Sequence, residues 1–134
     1  MDLYSNMKVT FIRHQRCYNQ REDGSLNHNT INPSLTEAGI RGSKNLIGDY
    51  DLVIISPMAR CIETFIYSHI NGPREINHLF REWILTPGDF HNHDIPSLRP
   101  ETKEDLQKRI GFAISYLNRL KQYKQNVCVI THSE

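Results

Sequence analysis

Two histidines close apolar runs that lie far apart in the chain. His14 follows Met7-Lys8-Val9-Thr10-Phe11-Ile12-Arg13, and His132 follows Val127-Cys128-Val129-Ile130-Thr131. Phosphoryl transfer needs a nucleophile in line with phosphorus, cations and donors around the equatorial oxygens, and an acid for the leaving oxygen. Neutral imidazole attacks without first losing a proton, so His14 is a candidate nucleophile. Arg13 beside it offers a planar fork of donors matched to phosphate oxygens. Arg60 and His132 are the candidates to complete such a pocket.

These residues need elements that bring them together. The mixture of β-branched and aromatic residues from Met7 to Arg13 predicts a strand that delivers Arg13-His14 to the polar stretch from His14 to Asn32. Ser34-Leu35-Thr36-Glu37 has capping-box spacing, which predicts a helix over about 35 to 47 with Ser34 as its cap. Asp51-Leu52-Val53-Ile54-Ile55-Ser56 is a short continuous apolar run before Pro57, as expected of a central parallel strand buried on both faces. Met58, Ile62, Phe65, Ile66 and Ile70 recur at three- and four-residue spacing, which predicts one face of a helix packed on the sheet.

From Gly72 to Pro100 the pattern weakens to a short strand near Glu75 to Leu79 and a long irregular segment. Beyond it Leu106, Ile110, Ala113, Ile114, Leu117 and Leu120 mark one face of a helix over about 102 to 122, capped by Thr102. Val127 to Thr131 is a last strand. Strands alternating with helices predict a single domain, 1–134, with three α/β/α layers and a mostly parallel central sheet. Ligands of such sheets gather beyond the carboxyl ends of the strands. Arg13-His14, Ser56 to Arg60 and His132 would all lie there.

Four segments, in order, resemble the histidine phosphatase superfamily, the phosphoglycerate mutase-like family. Phe11-Ile12-Arg13-His14 is similar to the strand entering its Arg-His-Gly motif, and Leu35-Thr36-Glu37-Ala38-Gly39 to its Leu-Thr-x-x-Gly segment. Ser56-Pro57-Met58-Ala59-Arg60-Cys61-Ile62-Glu63-Thr64 resembles its Ser-Pro-x-x-Arg-x-x-x-Thr segment, and Val129-Ile130-Thr131-His132-Ser133 the strand carrying its second histidine. The resemblance implies a phosphohistidine nucleophile at His14, a clamp from Arg13 and Arg60, and a hydrogen bond from His132 to the transferring oxygens. It also implies a phosphate contact from Asn19 and a general acid at Glu82, within Leu79-Phe80-Arg81-Glu82-Trp83, with Glu75 as the weaker choice. An acid there would need desolvation, or a neighbouring negative phosphate, to hold its proton near neutral pH.

The sequence departs from the pattern at Gln15, where the family usually has glycine, and it closes soon after His132, so the fold is expected in a form short at its C-terminus. The expected activity is metal-independent hydrolysis of phosphomonoesters on a small phosphorylated molecule or a phosphoprotein, with no cofactor. The alternatives are a phosphatase-like binding module without turnover and a phosphoglycerate mutase-type phosphotransferase. The latter needs a lid that keeps water from the intermediate.

Other chemistries fit less well. His91-Asn92-His93-Asp94 has two histidines at i, i+2 but no clear third ligand, so no metal site is expected. The same letters lack the basic surface of a nuclease. A Cys-x5-Arg phosphatase loop starting at Cys17 would need arginine where Asp23 stands. Sixteen basic residues against fifteen acidic ones leave no global field for nucleic acid or a membrane surface. The apolar runs are strand-sized, well short of the roughly 20 residues of a membrane span. The N-terminus lacks the basic start and apolar run of a secretory signal, and Cys17, Cys61 and Cys128 form no even disulfide set. The expected address is the cytoplasm. No heptad or interface stripe specifies an oligomer.

Overall fold

The computed structural model describes residues 7–17, 34–81 and 102–132. Their strands and helices alternate: β1 (Lys8–Arg13), α1 (Glu37–Ser43), β2 (Ile47–Asp49), β3 (Leu52–Ile55), α2 (Ala59–Tyr67), β4 (His69–Asn71), β5 (Arg74–Ile76), α3 (Lys103–Leu120) and β6 (Asn126–Thr131), with a 3₁₀ turn at His78–Phe80. The main sheet has the order β1-β6-β3-β5, and all its pairings are parallel. A second two-stranded sheet pairs β2 with β4, also in parallel.

The continuous apolar runs occupy the two central strands, β3 and β6, whose side chains alternate between two cores. Leu52, Ile54, Val127 and Val129 pack with Phe80 and Ala113 on the α3 face. Val53, Ile55, Cys128 and Ile130 pack with Cys61 and Ile70 on the α2 face. Helices therefore cover both faces, giving the three layers expected of such a sheet. Burial pushes the Cys128 thiol up to about 11, so it behaves as a small apolar residue of the core. No helix among the described residues is long and apolar enough to cross a membrane.

Several local expectations need correction. Helix α1 starts later than predicted, because Leu35 is buried and bridged to Cys17 in an extended conformation. Thr36, rather than Ser34, is the cap: its hydroxyl accepts from the Gly39 amide at 3.1 Å. The helix also ends at Ser43, since Ile47–Asp49 is drawn into pairing with β4.

Helix α2 buries Arg60, Cys61 and Thr64 and leaves Ile66 62% exposed, while Ile70 belongs to β4. The inward face of this helix carries the polar side chains of Arg60 and Thr64, so its apolar period misleads. On α3 the cap at Thr102 holds as a full capping box with Asp105. Its sheet-facing stripe, however, runs through Arg109, Ala113, Tyr116, Leu117 and Leu120, with Ile110 and Ile114 turned outward. The strand predicted near Glu75 to Leu79 is shorter, and its second half forms the 3₁₀ turn.

Candidate active site

Register brings the two histidines together. β1 and β6 pair with Arg13 opposite Thr131, and the next amide, that of His14, donates to the Thr131 carbonyl at 3.0 Å. The Ser56 amide donates to the Ile130 carbonyl at 3.0 Å from the other side of β6. Three adjacent strands thus end together and present His14, His132 and Ser56 at one edge. The two imidazole centroids are 5.3 Å apart, and the rings are inclined by 61°.

His14 is buried, and its Nδ1 lies 2.8 Å from the Gln15 carbonyl oxygen. A carbonyl can only accept, so Nδ1 carries a hydrogen, and in the neutral ring Nε2 keeps the lone pair. The peptide that follows is held from α2: the Gln15 amide donates to Thr64 Oγ1 at 2.9 Å, and Thr64 donates to the Arg60 carbonyl at 2.7 Å. Helix α1 holds the next carbonyl, that of Arg16, through the amide and hydroxyl of Thr36 at 3.0 and 3.3 Å. A Cβ on Gly39 would collide with this Arg16 oxygen, which explains the glycine in Leu-Thr-x-x-Gly as a close backbone approach.

The side chain of Gln15 occupies the space that a Cβ on Gly42 would fill. Its amide thus lies along α1, and the departure from glycine at position 15 is matched by a glycine at position 42.

Arg60 has no exposed surface, a rare state for a cation. Its Nη2 is 3.4 Å from His132 Nδ1. The other ring nitrogen of His132, Nε2, is 2.9 Å from Ser56 Oγ and 3.6 Å from Cys61 Sγ. Arg13, the last residue of β1, is exposed. Asn19 and Glu82 lie outside the described residues, as do His91 and His93. Glu75 accepts from the Tyr116 hydroxyl and from Asn77 Nδ2. Desolvation, and then the bond to Glu75, pushes that hydroxyl up to about 12. Among the described residues no group of three or more His, Cys, Asp or Glu side chains could hold a metal ion.

Sequence reasoning missed Arg109. It is 7% exposed, and its Nη1 donates to the Leu79 carbonyl at 3.0 Å and to the Arg81 carbonyl at 2.8 Å. Thr131, beside His132, donates from its hydroxyl to the carbonyl between them, that of Phe80. Three successive carbonyls are thereby tied to α3 and β6. A readable signal existed, because Arg109 falls three residues after Leu106 and four before Ala113, on the inward stripe of the helix.

No family model and no curated protein matches the sequence. Solved structures do match. An Escherichia coli K-12 protein assigned as an alpha-ribazole-5'-P phosphatase superimposes with a TM-score of 0.70 at 21% identity, over 96% of this chain and 74% of its own. The alpha-ribazole phosphatase from Shigella flexneri gives 0.69 at 21% identity, over 94% and 74%. The protein histidine phosphatase SixA, in complex with tungstate, gives 0.51 at 19% identity, over 95% and 70%. Topology, register and these superpositions agree: the chain has the phosphoglycerate mutase-like fold of these phosphatases.

Proposed function

We propose that this chain is a member of the histidine phosphatase superfamily that hydrolyses phosphomonoesters through a phosphohistidine on His14. The observation that carries the reading is the meeting of His14, His132 and a fully buried Arg60 at one sheet edge, with the His14 proton held on Nδ1. The Nε2 lone pair attacks phosphorus as the bond to the ester oxygen breaks. Arg13 and Arg60 hold the equatorial oxygens, and His132 donates to one of them. Glu82 gives its proton to the departing alkoxide. Water then attacks the phosphohistidine, Glu82 takes a proton from it, inorganic phosphate leaves and Nε2 recovers its lone pair. Asn19 adds a phosphate contact. No step draws on a metal or a cofactor.

The substrate carries a phosphoryl group on a small molecule or on a protein. Both kinds occur in the names of proteins sharing the fold, an alpha-ribazole-5'-P phosphatase and a protein histidine phosphatase. The Gln15 side chain, lodged against Gly42, leaves the backbone after His14 in contact with α1 and α2, so the departure from glycine at this position does not count against the phosphatase reading.

The test is hydrolysis of p-nitrophenyl phosphate at mildly acidic and neutral pH with chelator present, comparing wild type, His14→Ala and Glu82→Gln. Turnover that survives chelation and falls on the order of 10³-fold or more in His14→Ala is expected. An acid-labile phosphoenzyme should vanish in the same variant. Oxyanion binding by folded wild type without any hydrolysis would replace the phosphatase by a binding module.

A further inference from the structure

His132 is gripped at both ring nitrogens, and the two grips differ in chemistry. On one side stands the Arg60 guanidinium, with Nη2 at 3.4 Å from Nδ1. Guanidinium has donors and no acceptor. A hydrogen on Nδ1 would point at another hydrogen, so in the ligand-free protein Nδ1 holds the lone pair and Nε2 the proton. On the other side Nε2 is 2.9 Å from Ser56 Oγ, so the serine hydroxyl accepts. The thiol of Cys61 at 3.6 Å from the same nitrogen is a weaker neighbour.

Ser56 is well suited to such a grip. It is fully buried, its amide is bonded to the Ile130 carbonyl two residues before His132, and Pro57 restricts its own backbone to extended conformations. Its short side chain has one rotor to fix. The acceptor is therefore set by the same sheet register that sets the imidazole.

The geometry points to Ser56 as a positioning residue for His132: its hydroxyl accepts from Nε2–H and so presents Nδ1, on the Arg60 side of the ring, to the phosphoryl group. This rests on the phosphatase reading above. When an oxyanion settles against Arg60, the neighbour of Nδ1 changes from a cation to an anion. Nδ1 then takes a proton from solvent and donates to the anion, while the Nε2–H bond to Ser56 persists. The serine thus holds the ring through both protonation states, which a donor at that place would not do.

Two-bond 1H–15N correlation spectra of histidine-labelled protein read the ring nitrogens directly, with the His132 signals identified by their loss in His132→Asn. In ligand-free wild type the expected state is the neutral Nε2–H tautomer, and with tungstate both nitrogens become protonated. Ser56→Ala should lose the single tautomer and lower kcat about tenfold with KM nearly unchanged, the scale of one buried hydrogen bond. Ser56→Thr, which keeps the hydroxyl, should restore both.

An Nδ1–H tautomer in wild type overturns the assignment, and so does a ring that stays neutral with tungstate bound. Unchanged spectra and turnover in Ser56→Ala overturn it equally. Should Ser56→Ala fail to fold, the wild-type spectra decide alone. A wild type inactive on every ester would remove the phosphatase reading, yet the tautomer would still decide the Ser56 contact.

Discussion

At the amino end of the central strands, Asp51 accepts from the amides of Gln125 and Asn126 at 2.8 and 2.9 Å, and Asn126 Nδ2 donates to the Asp49 carbonyl at 2.9 Å. The carboxylate there meets its donors within the same corner. At the carboxyl end, His14, His132 and Arg60 meet at one edge, with the imidazole centroids 5.3 Å apart and Arg60 Nη2 3.4 Å from one nitrogen of His132. One sheet thus ends in a corner built around a carboxylate and in one where two imidazoles meet a guanidinium. The first arrangement serves stability, whereas on the phosphatase reading proposed above the second gains most when an anion arrives.

The largest effect that would sharpen this contrast is anion-linked stability. Tungstate at a hundred times its dissociation constant should add about 2.7 kcal/mol to the unfolding free energy of wild type. Arg60→Met should abolish that gain, measured by urea unfolding with and without tungstate. An equal gain in the variant would mean that the carboxyl end does not bind the ion.

Gly39→Ala comes next. Its Cβ would push on the Arg16 carbonyl, so a loss of about 2 kcal/mol is expected from overpacking, together with reduced turnover, because the displaced segment begins at His14. A variant as stable and active as wild type would show that the approach of α1 to this segment is not tight.

The smallest effect belongs to the amino end. The amides of Gln125 and then Asn126 hold the Asp51 carboxyl below its ordinary 3.8, with Lys124 assisting against desolvation. A carboxyl depressed in the folded state stabilises above its unfolded value, and that contribution is lost as pH falls through the folded one. Wild type should therefore exceed Asp51→Asn in urea midpoint at neutral pH, and the difference should shrink as pH falls below 3.8. A difference constant with pH would break the account.

Much of this was legible in the amino-acid order. β3 and β6 announce themselves as unbroken apolar runs because both faces of a central strand are buried, and their ends name Ser56 and His132. The cap of α3 was equally plain at Thr102. Helix α2 was not, because periodicity assumes that inward means apolar, and here the polar Arg60 and Thr64 point inward. Arg109 failed for the same reason. The cap of α1 moved from the expected Ser34 to Thr36 because of the tertiary bridge from Cys17 to Leu35, which no local pattern carries. Pairing registers are likewise long-range facts, and the meeting of both His132 nitrogens with Ser56 and Arg60 follows from them.

The pairing of β1 with β6 joins Lys8 to Asn126 and Arg13 to Thr131, so the site depends on contacts spanning nearly the whole sequence. Such high contact order slows folding, since a large loop must close before the contact rewards it. A chain emerging from the ribosome exposes His14 well before His132. Turnover in a refolding experiment would therefore rise with the last long-range pairing, reporting completion of the sheet instead of the early formation of its helices.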